Sequence, residues 1–77
     1  MPTARRPLQR RIGDVIRRHR EAKHWSQEGF ADHIEMHRAQ YGFLEQGRRD
    51  LRLSTLERVA DGLEEPLWVI LREADEL

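Results

Sequence analysis

Arginine is the residue type through which this sequence could do chemistry. It supplies 13 of the 14 basic residues in the 77-residue chain, Lys23 being the exception. A guanidinium makes forked contacts with phosphate and with the guanine edge that an ammonium cannot make. The arginines are unevenly placed. Residues 1–24 carry eight basic residues against two acidic ones, residues 25–53 four against five, and residues 54–77 two against seven. The net charge is zero, yet the chain is polarised along its length. Charge alone leaves two readings open, a solvated salt-bridged coat or one basic face for a polyanion. Zero net charge counts against a non-specific coat on DNA but not against a single basic face.

Other chemistries find less support. His33 and His37 have the i, i+4 spacing of a helical metal pair, but they straddle a predicted turn and have no evident third ligand. No metal or cofactor is expected. Without cysteine there is no disulfide, thiolate zinc site or iron–sulfur cluster. No Ser–His–acid or Cys–His set falls on rigid elements, no Gly-rich phosphate loop is present, and the chain is too short for a deep cleft, so an enzyme is not expected. No apolar run approaches the roughly 18 residues of a membrane span. Met1 to Pro7 is basic but lacks an apolar stretch, so a secretory signal is not expected and a cytoplasmic location is. A domain of this size buries only roughly 60% of its unfolded surface, which favours help from a partner subunit.

The arginines must be positioned by helices. Leu8, Ile12, Val15, Ile16 and His19 recur at helical spacing and predict a first helix over about residues 8–23. Residues 1–7, bracketed by Pro2 and Pro7, read as a flexible basic arm. Ser26 is a good N-cap, with Trp25 and Phe30 at the two positions of a hydrophobic staple, and Gly29 leaves the capping box incomplete. The second helix is predicted over about 27–34 and, after a three-residue gap, the third over about 38–46. Tyr41, Leu44 and Met36 face inward, and Gly47 stops the third helix. After an Arg-rich loop, Ser54 with Glu57 reads as a full capping box opening a fourth helix with Leu56, Val59, Ala60 and Leu63 inside. Pro66 suits N1 of a fifth helix. Leu67, Trp68, Val69, Ile70 and Leu71 cover every side of that helix, so one side is left exposed in a monomer.

Two short helices joined by about three residues, the second followed by Gly and a basic loop, form a helix-turn-helix signature. Residues 12–71, about four fifths of the chain, resemble the lambda-repressor-like (Xre/Cro) helix-turn-helix family. The resemblance is carried by Ile16, Arg20, Ser26-Gln27-Glu28, Phe30-Ala31, Arg38, Tyr41, Leu44-Glu45, Gly47-Arg48-Arg49, and by Ser54, Leu56-Glu57, Val59-Ala60 and Leu63 at their spacing. It implies an all-α, compact five-helix DNA-binding domain over 8–77, with the helix-turn-helix at about 27–46 and a dimerisation helix at about 66–75.

The resemblance also implies residue roles. Arg20 and Glu45 match a buried salt bridge that sets the angle of the third helix; the alternative for Arg20 is a solvent- or phosphate-facing side chain. Gln27 corresponds to a phosphate-contacting glutamine. Arg38, Ala39, Gln40 and Phe43 occupy major-groove positions. Arg38 would read guanine through O6 and N7, Ala39 or Phe43 would touch a thymine methyl, and Gln40 would pair with adenine or hold a phosphate. Phe43 in a packing role is the alternative. Gln46, Arg48 and Arg49 match backbone contacts, and Arg49 or Arg52 would enter a narrow minor groove. A solvated loop is the bland reading of those arginines.

The sequence departs from the family pattern at several places. Gly29 replaces an acidic residue, Gly42 sits mid-helix, Leu51 replaces a common proline, and His24 takes a frequent glycine position. Glu35 stands where a left-handed glycine is preferred, so either the turn differs or it costs about 1 kcal/mol.

These readings predict a sequence-specific regulator of transcription, a homodimer through Leu67, Trp68 and Leu71, on a pseudo-palindromic duplex DNA operator. No small-molecule effector is expected, and stand-alone regulators of this size resemble restriction–modification controller proteins. The alternatives are an antitoxin that autoregulates its operon and binds a toxin, or a protein–protein adaptor without DNA binding.

Overall fold

Apolar residues at helical spacing account for all five helices of the computed structural model, which describes residues 5–48 and 50–77. They are α1 (Leu8–Ala22), α2 (Gln27–His33), α3 (Arg38–Gln46), α4 (Leu53–Gly62) and α5 (Leu67–Glu76), with no strand among the described residues. The protein is all-α, as the sequence predicts. Residues 1–4 of the expected arm, and Arg49, lie outside the described residues.

α1 packs against α3 and α5, α2 against α3, and α4 against α5. Val15, Ile16, Phe30, Tyr41, Val59, Leu63 and Ile70 are fully buried where these helices meet. Each such side chain contributes about 1.5–3 kcal/mol through burial. Gly13 lets α1 approach the end of α3. A Cβ there would run into the Glu45 carbonyl oxygen and lie 2.9 Å from that of Leu44.

Four helices end in the same way. The residue after the C-cap of α1, α2 and α4, and the C-cap Gly47 of α3, takes left-handed dihedrals. Those residues are His24 (φ 65°), Glu35 (φ 56°), Glu64 (φ 58°) and Gly47 (φ 64°). The amide of each bonds back three residues, and the next amide bonds back five, to Arg20, Ala31, Ala60 and Phe43 in turn. This double bond satisfies carbonyls that the helix end would leave orphaned. Glu35 therefore keeps the left-handed turn despite its side chain, and three of the four stops are made without glycine.

The helix entries bring two corrections. Ser26 caps α2, its hydroxyl accepting from Gly29 N at 2.9 Å. Ser54 does not cap α4: the N-cap is Arg52, whose carbonyl receives the amides of Thr55 and Leu56, and no side chain caps the helix. Leu53 is already helical, so Ser54 lies inside the first turn and the Ser54–Glu57 capping box does not form. Pro66 is the N-cap of α5 rather than its first helical residue, with ψ at 142°. Lys23 and Ile34 are likewise C-caps just outside α1 and α2.

Arg5 and Arg11 tie the start of the described chain to the end of α5. Arg5 Nη2 donates to the carbonyls of Asp75 (2.6 Å) and Leu77 (3.3 Å), and Arg11 Nη1 to that of Ala74 (3.0 Å). Guanidinium groups at the C-terminal, negative end of a helix dipole are favourably placed. His19, on α1, reaches Glu73 of α5 at 2.8 Å.

Candidate nucleic-acid interface

α2 and α3 are set by one polar knot on their inner side. The Glu45 carboxylate accepts from Arg20 Nε (2.6 Å), Arg20 Nη2 (3.2 Å), Gln27 Nε2 (3.2 Å) and the Tyr41 hydroxyl. Arg20 Nη1 also donates to the Trp25 carbonyl at 2.7 Å. Arg20 and Glu45 are both buried, and no buried side-chain polar atom among the described residues lacks a partner. The knot ties α1, the α1–α2 link, the start of α2 and the end of α3. It fixes α3 in both rotation and slide. The hydrogen bonds to Glu45 hold the Arg20 guanidinium even more firmly protonated than usual.

Tyr41 makes that knot testable by pH. Burial, reinforced by its hydrogen bond to Glu45, pushes its phenol well above the ordinary 10.0. A raised folded pKa means stability is fully present below pH 10 and is lost as pH climbs beyond it. Tyr41 is the chain's only tyrosine, so tyrosinate absorbance reports it alone. The band should appear together with loss of helical circular dichroism. Tyrosinate forming near pH 10 with the helices intact would contradict the burial argument.

The outer face of the motif carries the other sequence-selected residues. Arg38, Ala39, Gln40, Gln46, Arg48 and Arg52 are exposed. Phe43 is half-buried, with the Arg48 guanidinium 5.5 Å from its ring centroid. Gln40, Phe43 and Arg52 share one open depression with His37, Asp50 and Thr55. Arg38 is not loose. It forks onto Asp32 (3.0 and 3.4 Å) and reaches Glu28 at 3.2 Å. The hydrogen bond from Arg38 holds the Asp32 carboxyl below its ordinary value. Gln27 is exposed but already donates to Glu45, so its amide is oriented by the knot.

Sequence reasoning overlooked two arginines. Arg10 and Arg17, on the outer side of α1, line one open groove with Gln27, Gln46 and Arg48. Arg10 makes no ion pair among the described residues, and its backbone runs against Gly47 at the end of α3. The available signal was the seven-residue spacing of Arg10 and Arg17, which places both on one helix face. Leu67 and Leu71 are half-buried against the core, whereas Trp68 is 61% exposed. His33 stacks on Trp25 at 4.5 Å. No group of three or more metal-ligating residues forms among the described residues, and no helix is long and apolar enough to cross a membrane.

Comparison with known proteins agrees with this geometry. No curated protein sequence matches the chain. Two crystal structures of the clp gene regulator ClgR from Corynebacterium glutamicum superpose with a TM-score of 0.88 at 22% identity. One match covers 94% of this chain and 94% of that one, the other 95% and 78%. At that identity the likeness is one of fold. A family model described as a helix-turn-helix domain matches residues 11–67, which includes α2, α3 and the knot that joins them. The chain belongs to the helix-turn-helix family of DNA-binding domains.

Proposed function

We propose that the protein is a sequence-specific transcriptional regulator of the lambda-repressor-like kind, docking as a homodimer on a pseudo-palindromic operator. The observation that carries this reading is the presentation of α3: buried on one side through Tyr41, Leu44 and Glu45, and exposed on the other through Arg38, Ala39, Gln40 and Gln46. α3 enters the major groove. Arg38 reads guanine, Ala39 and Phe43 meet thymine methyls, and Gln40 pairs with adenine or a phosphate. Gln27, Gln46, Arg48 and Arg49 hold the flanking backbone, joined by Arg10 and Arg17 across the groove, and Arg52 lies at its edge near the minor groove. The mechanism is occupancy of the operator. Similarity in fold to ClgR, a regulator of clp genes, supports a regulatory role of this general type.

The test is selection of binding sequences from a randomised duplex pool, with Arg38→Ala beside the wild type. An inverted repeat with half-sites about one helical turn apart is expected. Loss of a single base preference in the variant places Arg38 on that base. Affinity should fall steeply with salt, by about one unit of log–log slope per phosphate neutralised. A pool with nothing enriched at low salt would sink the reading.

Dimerisation runs through α5. Trp68 stands out to solvent between half-buried Leu67 and Leu71, a small apolar patch that a second copy would cover. Trp68→Glu should leave the thermal transition of the monomer fold nearly unchanged while shifting sedimentation equilibrium to monomer. It should weaken operator binding by more than tenfold, since half-sites are then bound singly. A variant that stays dimeric would place the interface elsewhere.

A further inference from the structure

Arg38 differs from the other exposed arginines of the proposed interface. Arg10 and Arg48 have no carboxylate partner among the described residues, and Arg17 has one, Glu21 at 3.6 Å a turn further along α1. Arg38 has two. Its Nε and Nη2 fork onto Asp32 at 3.4 and 3.0 Å, and its Nη1 reaches Glu28 at 3.2 Å. Both acids lie on α2, while Arg38 opens α3.

Stability does not account for this arrangement, because all three side chains are largely exposed and such pairs contribute little. Phosphate gripping does not account for it either. Two carboxylates around one guanidinium leave a local charge of −1, which repels a backbone. What the arrangement does is hold a long, flexible side chain in one rotamer before any ligand arrives, removing that ordering cost from binding. Of the five guanidinium N–H groups, three are taken by the acids. One N–H on each terminal nitrogen is left over, which matches in number the two acceptors, O6 and N7, that guanine presents.

We propose that Glu28 and Asp32 are positioning residues that aim Arg38 at a base edge and so set the preference for guanine at one base pair of the operator. The proposal rests on the DNA reading above. The carboxylates do not touch the base. They restrict where the fork points, and their charge lowers affinity for duplexes that offer no guanine there.

The experiment uses the full chain and duplexes that differ only at the base pair assigned by Arg38→Ala. Asp32→Asn should reduce the preference for guanine over the other bases at least about fivefold. It should at the same time raise affinity for the non-guanine duplexes, and leave the melting temperature nearly unchanged. Glu28→Gln should act in the same direction and more weakly. In the Arg38→Ala background, Asp32→Asn should change base preference no further, which a merely structural role for Asp32 would not predict. Three results would overturn the proposal: guanine preference intact in Asp32→Asn, an equal gain for every duplex, or no base preference altered by Arg38→Ala. In each of these the protein still selects DNA and the regulator reading stands, the last of them removing from it only the place of Arg38 on a base. A wild-type protein that selects no sequence would instead remove the functional reading, and the proposal with it.

Discussion

Glu45→Ala should destabilise the protein by about 3–5 kcal/mol, because it strands the buried Arg20 guanidinium without its partner. A chain of this length has roughly 4–12 kcal/mol in total. The variant therefore loses about a quarter of its stability or more, and at the lower end of that range it does not fold. The Tyr41 hydroxyl and the Gln27 amide lose their acceptor at the same time. The measurement is urea unfolding followed by circular dichroism. A double replacement, Arg20→Met with Glu45→Leu, should recover part of the loss, since no charge then stays buried. Recovery is incomplete because the Tyr41 hydroxyl still lacks its acceptor. A cost below about 1 kcal/mol for Glu45→Ala would mean that the knot is solvated and does not fix α3.

Gly13→Ala should also destabilise, against the direction of helix propensity. Alanine in place of glycine inside a helix gains about 1 kcal/mol. At Gly13 the added methyl meets backbone: the Glu45 carbonyl oxygen, the Glu45 carbonyl carbon at 2.8 Å and the Leu44 oxygen at 2.9 Å. These atoms cannot withdraw without carrying buried Leu44 and Glu45 with them. Overpacking costs typically about 1–3 kcal/mol and more where backbone must shift. The clash wins, with a net loss of about 2 kcal/mol. Gly42→Ala is the control. It lies on the outer side of α3 with nothing within 4 Å of an added Cβ, so the full propensity gain of up to about 1 kcal/mol is expected. Thermal melts of the two variants should move in opposite directions. A Gly13→Ala variant as stable as the wild type would show that α1 and α3 are further apart than their packing implies.

Helices were legible in the sequence because their signals are local. The spacing of Ile12, Val15 and Ile16 in α1, and of Tyr41 and Leu44 in α3, repeats within a few residues. The bounds of α1, α2, α3 and α5 fall within about a residue of expectation, and Ser26 caps where its neighbours said it would. The failures come where two local signals compete. Ser54 and Glu57 have capping-box spacing, but α4 opens two residues earlier than that box requires, with Arg52 as the N-cap. Relations across helices were legible only through family resemblance, as with Arg20 and Glu45. Periodicity alone could not show that Gln27 and Tyr41 join the same carboxylate. Nor could it show that Asp32 and Glu28 occupy Arg38. The glycine at position 13, isolated within an amphipathic pattern, was the unused hint of a close backbone approach.

The repeated left-handed stop has a consequence for how such a molecule meets a duplex. The turns from α1 to α2, from α2 to α3 and from α4 to α5 are each secured by two backbone hydrogen bonds within a few residues, so α2 and the start of α3 have no long hinge through which to swing. The protein is a stiff template, and mutual adjustment on docking falls to side chains and to the DNA. For the proposed dimer, base steps that bend or twist easily between its two half-sites would then be favoured although no residue touches them, since they lower the energy of bringing both major grooves into register. Part of the operator's information would be written in its flexibility, in the stretch the protein spans without contact.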